Sequence, residues 1–294
     1  MNSFMTRSMV IRFVGMGCLI FSASALAAGS GPWSFRAESS YISDNNVSKS
    51  QENDDIEKDT SFNGSASASY TKGLSPLTAF TFTGTAQVEE FAEFEGLSNT
   101  QVSFTTDFRF QTRSSFTAPI YSVFVRAIQA DFETDIRDSS IVEFGFSATR
   151  RITDRITGTL GATVTEREAD EGEVFNLDRT RYFANVDWTL SRRVAVYSTL
   201  NYIDGDVFST ATADSLDILN WAEAIEPDNA FGGVANNKFV YRLDAKTTIL
   251  RLGANVGVNS NLALDFSVDI LESDAVGPIE YDLTSIVASV FYRF

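Results

Sequence analysis

Period-two alternation runs through this chain nearly from end to end, and few folds are compatible with it. In the cleanest segment Val102, Phe104, Thr106, Phe108 and Phe110 alternate with Ser103, Thr105, Asp107, Arg109 and Gln111. Successive side chains of a strand point to opposite faces, so this pattern describes a sheet with one apolar and one polar surface. Similar segments fall near 33–41, 60–72, 77–89, 99–112, 119–132, 139–150, 155–166, 178–190, 193–204, 242–258, 261–271 and 281–294. The facing of 119–132 and 193–204 is ambiguous. Short turns near 73–76, 113–118, 151–155, 191–193 and 259–261 alternate with longer polar loops at 42–59, 90–98, 133–138, 167–177, 205–241 and 272–280. Short turns on one side and long loops on the other predict an all-β, transmembrane, antiparallel up-and-down β-barrel of about twelve strands, with ten or fourteen as alternatives.

The two ends of the sequence agree with export and insertion. Arg7 and Arg12 precede the apolar run 13–21, and Ala25-Leu26-Ala27 supplies a small-x-small cleavage pattern, so residues 1–27 read as a signal peptide and 28–294 as one barrel domain. Past that run no stretch of twenty apolar residues exists to form a transmembrane helix. At the other end, Ile286, Ala288, Val290, Tyr292 and Phe294 form an alternating apolar face that stops on an aromatic residue. This strand resembles the C-terminal assembly signal of Gram-negative outer-membrane β-barrels. The resemblance implies location in the outer membrane, contact with its lipids and lipopolysaccharide, and recognition of the last strand by the barrel-assembly machinery through Tyr292 and Phe294.

Charge follows the same axis. The formal net charge is −16, and the acids collect in the long loops while Lys72, Arg113, Arg150, Arg151, Arg155, Arg192 and Arg193 sit by the short turns. An acidic rim of this kind is expected to attract divalent cations and to exclude nucleic acid as a partner. Inside, the face of 60–72 reads Ser61, Asn63, Ser65, Ser67, Ser69, Thr71. The candidate lumen-lining charges are mixed: Arg36, Arg109, Arg126, Arg181 and Arg251 with Glu38, Asp107, Glu143, Asp187, Asp265 and Asp269. In the longest loop Ile218, Trp221 and Ile225 recur at helical spacing ahead of Pro227, which makes them candidates for a constriction of the mouth or a helix packed on its rim.

These residues suit a passive pore better than a catalyst. The chain has no histidine, so a histidine base or histidine-ligated zinc is excluded, and no catalytic residue or cofactor is expected. Tyr41-Ile42-Ser43-Asp44-Asn45-Asn46-Val47 looks like the Tyr-Asp-x-Asn-Val segment of β-barrel porin families associated with exopolysaccharide export, with one extra residue after the tyrosine. That resemblance implies a barrel and a link to surface polymers, and transfers no functional residue. The expected function is a porin-like passive channel for small hydrophilic solutes. The alternative is a non-conducting structural, adhesive or partner-binding barrel, accessory to polysaccharide export.

Overall fold

A computed structural model describes residues 32–213 and 216–294; the expected signal peptide lies outside them. The chain runs through β1 (Trp33–Asp44), β2 (Asp59–Ser75), β3 (Thr78–Phe91), β4 (Asn99–Gln111), β5 (Ile120–Phe132) and β6 (Ser139–Arg151). It continues through β7 (Ile156–Ala169), β8 (Leu177–Thr189), β9 (Val194–Thr212), a short helix α1 (Leu216–Trp221) and β10 (Ala224–Pro227). Three long strands finish it: β11 (Lys238–Gly257), β12 (Leu262–Ala275) and β13 (Glu280–Arg293). Successive long strands pair antiparallel. β9 pairs directly with β11 from Val194↔Val256 to Thr212↔Lys238, and β13 closes on β1 from Arg36↔Arg293 to Asp44↔Ser285. The result is a closed twelve-stranded up-and-down barrel, with β10 a small addition on the upper edge of β11.

Side chains do the capping at the short turns. Asn259 Oδ1 accepts from the Asn261 and Leu262 amides, and Ser191 and Thr153 hydroxyls accept from the amides two and three residues on. Such local bonds replace ladder bonds at the bend, which is why Asn, Ser and Thr favour turns. The outer wall is apolar and uncovered by protein: Phe104 is 69% exposed and Leu160 65%, the outward pattern of a lipid-facing barrel. At the short-turn end Phe80, Phe108, Phe110, Tyr121 and Phe146 stack in series across four strands, with centroids 4.9–6.1 Å apart. A ring of aromatics at one interface is what a bilayer boundary favours. Tyr292 and Phe294 join this end with an edge-on contact at 4.8 Å.

The two strands of ambiguous facing resolve through glycine. Inward-pointing Phe124 on β5 lies over Gly145 of β6, Phe183 of β8 over Gly161 of β7, and Tyr197 of β9 over Gly253 of β11. Each aromatic stands directly opposite its glycine in the register, and a Cβ there would collide with the ring. The rings therefore lie flat on the wall of the lumen.

The membrane part of the barrel matches the sequence expectation within a few residues, but the upper part of one hairpin does not. Residues 205–212 and 238–241, expected as loop, extend β9 and β11. Gly205 marks the departure. It takes φ +131 where β9 leaves β8, and a side chain there would strike the Asp178 carbonyl. Beyond it both faces of the hairpin are covered. One packs Val207, Tyr241 and Leu243 against Ile218, Ile279 and Tyr281; the other packs Val240 and Phe208 against Val174 and Phe175.

Candidate functional site

The lumen wall carries charge that is neutralised locally. Asp107 is buried and accepts from Arg109, two residues along the same strand, at 2.7 Å, and from Ser122 on β5. Arg126 meets Glu143 at 3.6 Å on the neighbouring strand, and Arg251 pairs with Asp269 in direct register. Asp265 accepts from the Tyr197 hydroxyl at 2.7 Å, and Asp187 from Asn185 at 2.6 Å. Arg181 reaches the Thr163 hydroxyl at 3.4 Å, while Arg36 and Glu38 follow each other on the inward face of β1 near the short-turn end. The expected lumen charges lie on the inner face of their strands; three pairs, Arg109–Asp107, Arg126–Glu143 and Arg251–Asp269, form along the wall, while Arg181, Asp187 and Asp265 bond neutral groups. Hydroxyls pair along the wall too, as in Ser40–Ser289, Ser69–Thr83 and Thr149–Thr159.

Loops reach across the mouth and meet there. The connection between β9 and β11 spans the barrel: Ala230 sits so close to Gly96 of the β3–β4 loop and Thr134 of the β5–β6 loop that Gly96 has no room for a Cβ. Phe231 stacks on Phe94 at 4.6 Å. Asp228, fully buried, caps the turn by accepting from the Ala230 amide and takes bonds from Arg137 and Thr210, both at 2.6 Å. The β1–β2 loop crosses from the other side. Asn46 binds the Ser50 and Asp282 carbonyls and accepts from Ser48 and Ser50. Ser48 then accepts from the Thr210 amide through its carbonyl. Asp55 meets Lys238 at 2.9 Å and the Thr212 amide at 2.9 Å. Burial alone would raise the Asp55 carboxyl; these hydrogen bonds and the Lys238 charge outweigh it and hold the group below the usual carboxylate range.

Ile218, Trp221 and Ile225 are placed at the edge of this plug. Ile218 is buried on the β9–β11 hairpin, whereas Trp221 is 46% exposed against Gly277 of the β12–β13 loop and Ile225 lies in β10. Residues 228–231 make the crossing instead. Asn46 organises the β1–β2 loop by its side chain, and the left-handed residue there is Lys49 (φ 55). Asp55, one of the loop acids, turns inward. Among the described residues no three acidic side chains converge on a metal-sized site.

The sequence reading missed Lys49, Arg137, Arg167, Arg179 and Asp228. Two of them carried a signal: Arg167 continues the inward parity of Thr157 to Thr165, and Arg179 shares the face of Arg181. The strand expected at 155–166 stops three residues short of the end of β7 at Ala169, which put Arg167 in a loop.

No protein family matches this sequence, and no curated protein does. Solved structures do match. The COG4313 outer membrane channel from Pseudomonas putida F1 is 11% identical, with 91% of this chain and 97% of that one covered and a TM-score of 0.58. The chain folds as an outer-membrane β-barrel. A KdgM porin in complex with disordered oligogalacturonate also aligns, over 88% of this chain and 99% of that one, at 7% identity and a TM-score of 0.45.

Proposed function

We propose that this barrel is a porin-like passive channel for small hydrophilic solutes, constricted on its loop side by the segment that connects β9 to β11. The observation that carries the reading is a closed twelve-stranded wall whose inner surface is hydroxyls and locally paired charges. Twelve strands lie between the filled interior of eight and the open channel of sixteen. Flat-lying rings and small hydroxyls leave such a lumen wet, and the loop segment sets the limiting aperture. The likeness to the Pseudomonas putida channel supports the fold on which the reading rests.

A second reading, a non-conducting structural or partner-binding barrel, is favoured by one observation: the Arg137–Asp228 pair is buried on both sides and ties the crossing segment down. Conductance of the refolded full chain in planar bilayers separates the two. Small, stable conductance steps are expected, and larger ones when residues 213–237 are replaced by a short turn. Silence in both forms would establish the non-conducting barrel.

A further inference from the structure

Under the plug, positive charge gathers without matching negative charge. Phe175 and Phe208 pack edge to face at 5.1 Å, and three cations surround them. Lys49 Nζ lies 3.9 Å from the Phe208 centroid, the Arg137 guanidinium 4.6 Å from Phe175 and 5.5 Å from Phe208, and that of Arg167 5.4 Å from Phe175. Arg179 is a diagonal neighbour of Arg167 on the inward face, since Arg167 stands opposite Leu177 and Arg179 opposite Thr165. Such neighbours are about 7–8 Å apart at the backbone, within reach of long side chains.

Buried cations are ordinarily paired; of these four cations only Arg137 has a carboxylate partner, Asp228. Arg167 is 9% exposed; its side chain donates to a neutral acceptor, the Arg137 carbonyl, at 2.8 Å, and its Nε has no partner. The Nε of Arg137, 4% exposed, is also unpartnered. Among the described residues the Arg179 guanidinium and the Lys49 ammonium make no hydrogen bond or ion pair. Asp228 offsets one charge through Arg137 and also accepts from Thr210, and the other nearby acids are committed outside the cluster: Glu143 to Arg126, Asp206 to the Asp178 amide, and Asp44 to the Asn46 amide and Ser285. Lys49 is moreover held at φ 55, a conformation a lysine adopts only when its surroundings impose it. Burial, with the charges of Arg179 and Arg137 added, pushes its ammonium down to about 7. Cation–π contacts compensate for little of this repulsion.

We propose that Lys49, Arg137, Arg167 and Arg179 form a binding site for a small soluble anion bearing carboxylate or phosphate groups, held in the lumen beneath the plug. The site deepens the channel reading by naming a solute class, and it rests on that reading only for transport, not for binding. Guanidinium groups present paired donors that match carboxylate and phosphate oxygens. An incoming anion would supply the missing counter-charge, and the acidic loop rim above would make entry slow and dependent on ionic strength.

Calorimetric titration of the refolded protein, in detergent free of lipopolysaccharide, tests this with citrate, inorganic phosphate and glucose. Arg179→Gln is the informative variant, because the Arg179 guanidinium makes no hydrogen bond that the fold would lose; heat-modifiable gel mobility confirms that it is folded. Citrate or phosphate should bind the parent, glucose should not, and Arg179→Gln should weaken anion binding at least tenfold while Arg179→Lys restores part of it. Equal anion affinity in parent and Arg179→Gln, or no anion binding by the folded parent, overturns the site. Bilayer recordings on the same samples keep the two readings apart: conductance without anion binding removes the site alone, and anion binding without conductance removes the channel alone.

Discussion

Arg109 and Asp107 in the membrane part are two residues apart, and Arg251 meets Asp269 across 18 residues of one hairpin. In the mouth, Arg137 reaches Asp228 across 91 residues and Lys238 reaches Asp55 across 183. The ion pairs of the lower wall thus lie within one strand or one hairpin, although Tyr197–Asp265 and Ser40–Ser289 join more distant strands. The plug exists only when loops from opposite sides of the barrel meet. The contrast implies two layers of differing cooperativity: a wall that tolerates loss of any one pair, and a mouth that depends on a few buried, long-range ones. Removing a partner from a buried ion pair leaves an uncompensated charge, whereas a pair facing a wet lumen can be replaced by water.

The largest effect should come from Asp228→Ala, which strands Arg137 and removes the cap of the turn that follows. A cost of about 3–5 kcal/mol is expected, confined to the mouth. Trypsin should cut faster after Lys58 and Arg137, while the barrel keeps its heat-modifiable mobility. Global unfolding of the variant would erase the distinction between the layers.

On the wall, the corresponding break is made from the lipid side. Phe104→Arg near mid-strand of β4 should cost about 2–4 kcal/mol in reversible denaturant unfolding, with Asp107→Ala costing less because the partner it strands, Arg109, is 41% exposed and reaches water. An equal or reversed cost would put the register of β4 off by one residue.

This division also explains what could be read from sequence. One wet and one lipid-bathed face leave a period-two trace, so Val102 to Gln111 declared both strand and facing. Phe124 and Tyr197 blurred that trace, because each puts a large aromatic on the inner face of its strand and the compensating Gly145 and Gly253 lie on partner strands whose register is set by pairing. At 205–212 and 238–241 neither face is wet, since α1 and the β12–β13 loop cover one and Val174 with Phe175 the other. With no polar face there is no alternation to detect. Asp228 and Arg137 were illegible for a different reason: nothing local distinguishes a loop aspartate that is solvated from one buried by a loop that arrives from across the barrel.

The glycine–aromatic pairs sharpen the comparison from within the wall. Gly161→Ala places a methyl group where the Phe183 ring lies and also crowds the Phe146 carbonyl. Overpacking of this kind should cost about 1–3 kcal/mol, read as a lowered midpoint in urea. The companion change Gly64→Ala, on a strand where a Cβ meets nothing within 4 Å, should be nearly neutral. Similar losses at both positions would mean that the rings do not rest on the glycines.

The most graded effect, again in the mouth, is its response to pH. The Lys49 ammonium titrates near 7 in the folded protein against 10.5 when free. Between these values the opened mouth binds a proton that the closed mouth does not, so closure should strengthen as pH rises through that window, by at most about 1.4 kcal/mol per pH unit. Below pH 7 both states carry the proton and the penalty is constant. The amide of Thr210, which donates to Ser48 at 2.9 Å beside Lys49, is the natural reporter. Its hydrogen-exchange protection, corrected for the intrinsic rate, should climb from pH 7 to pH 9, while amides in the middle of β4 stay level. Lys49→Met should abolish the slope and leave Thr210 at its high-pH protection. A slope that survives in Lys49→Met would assign the titration to another group and remove the electrostatic strain ascribed here to the lysine.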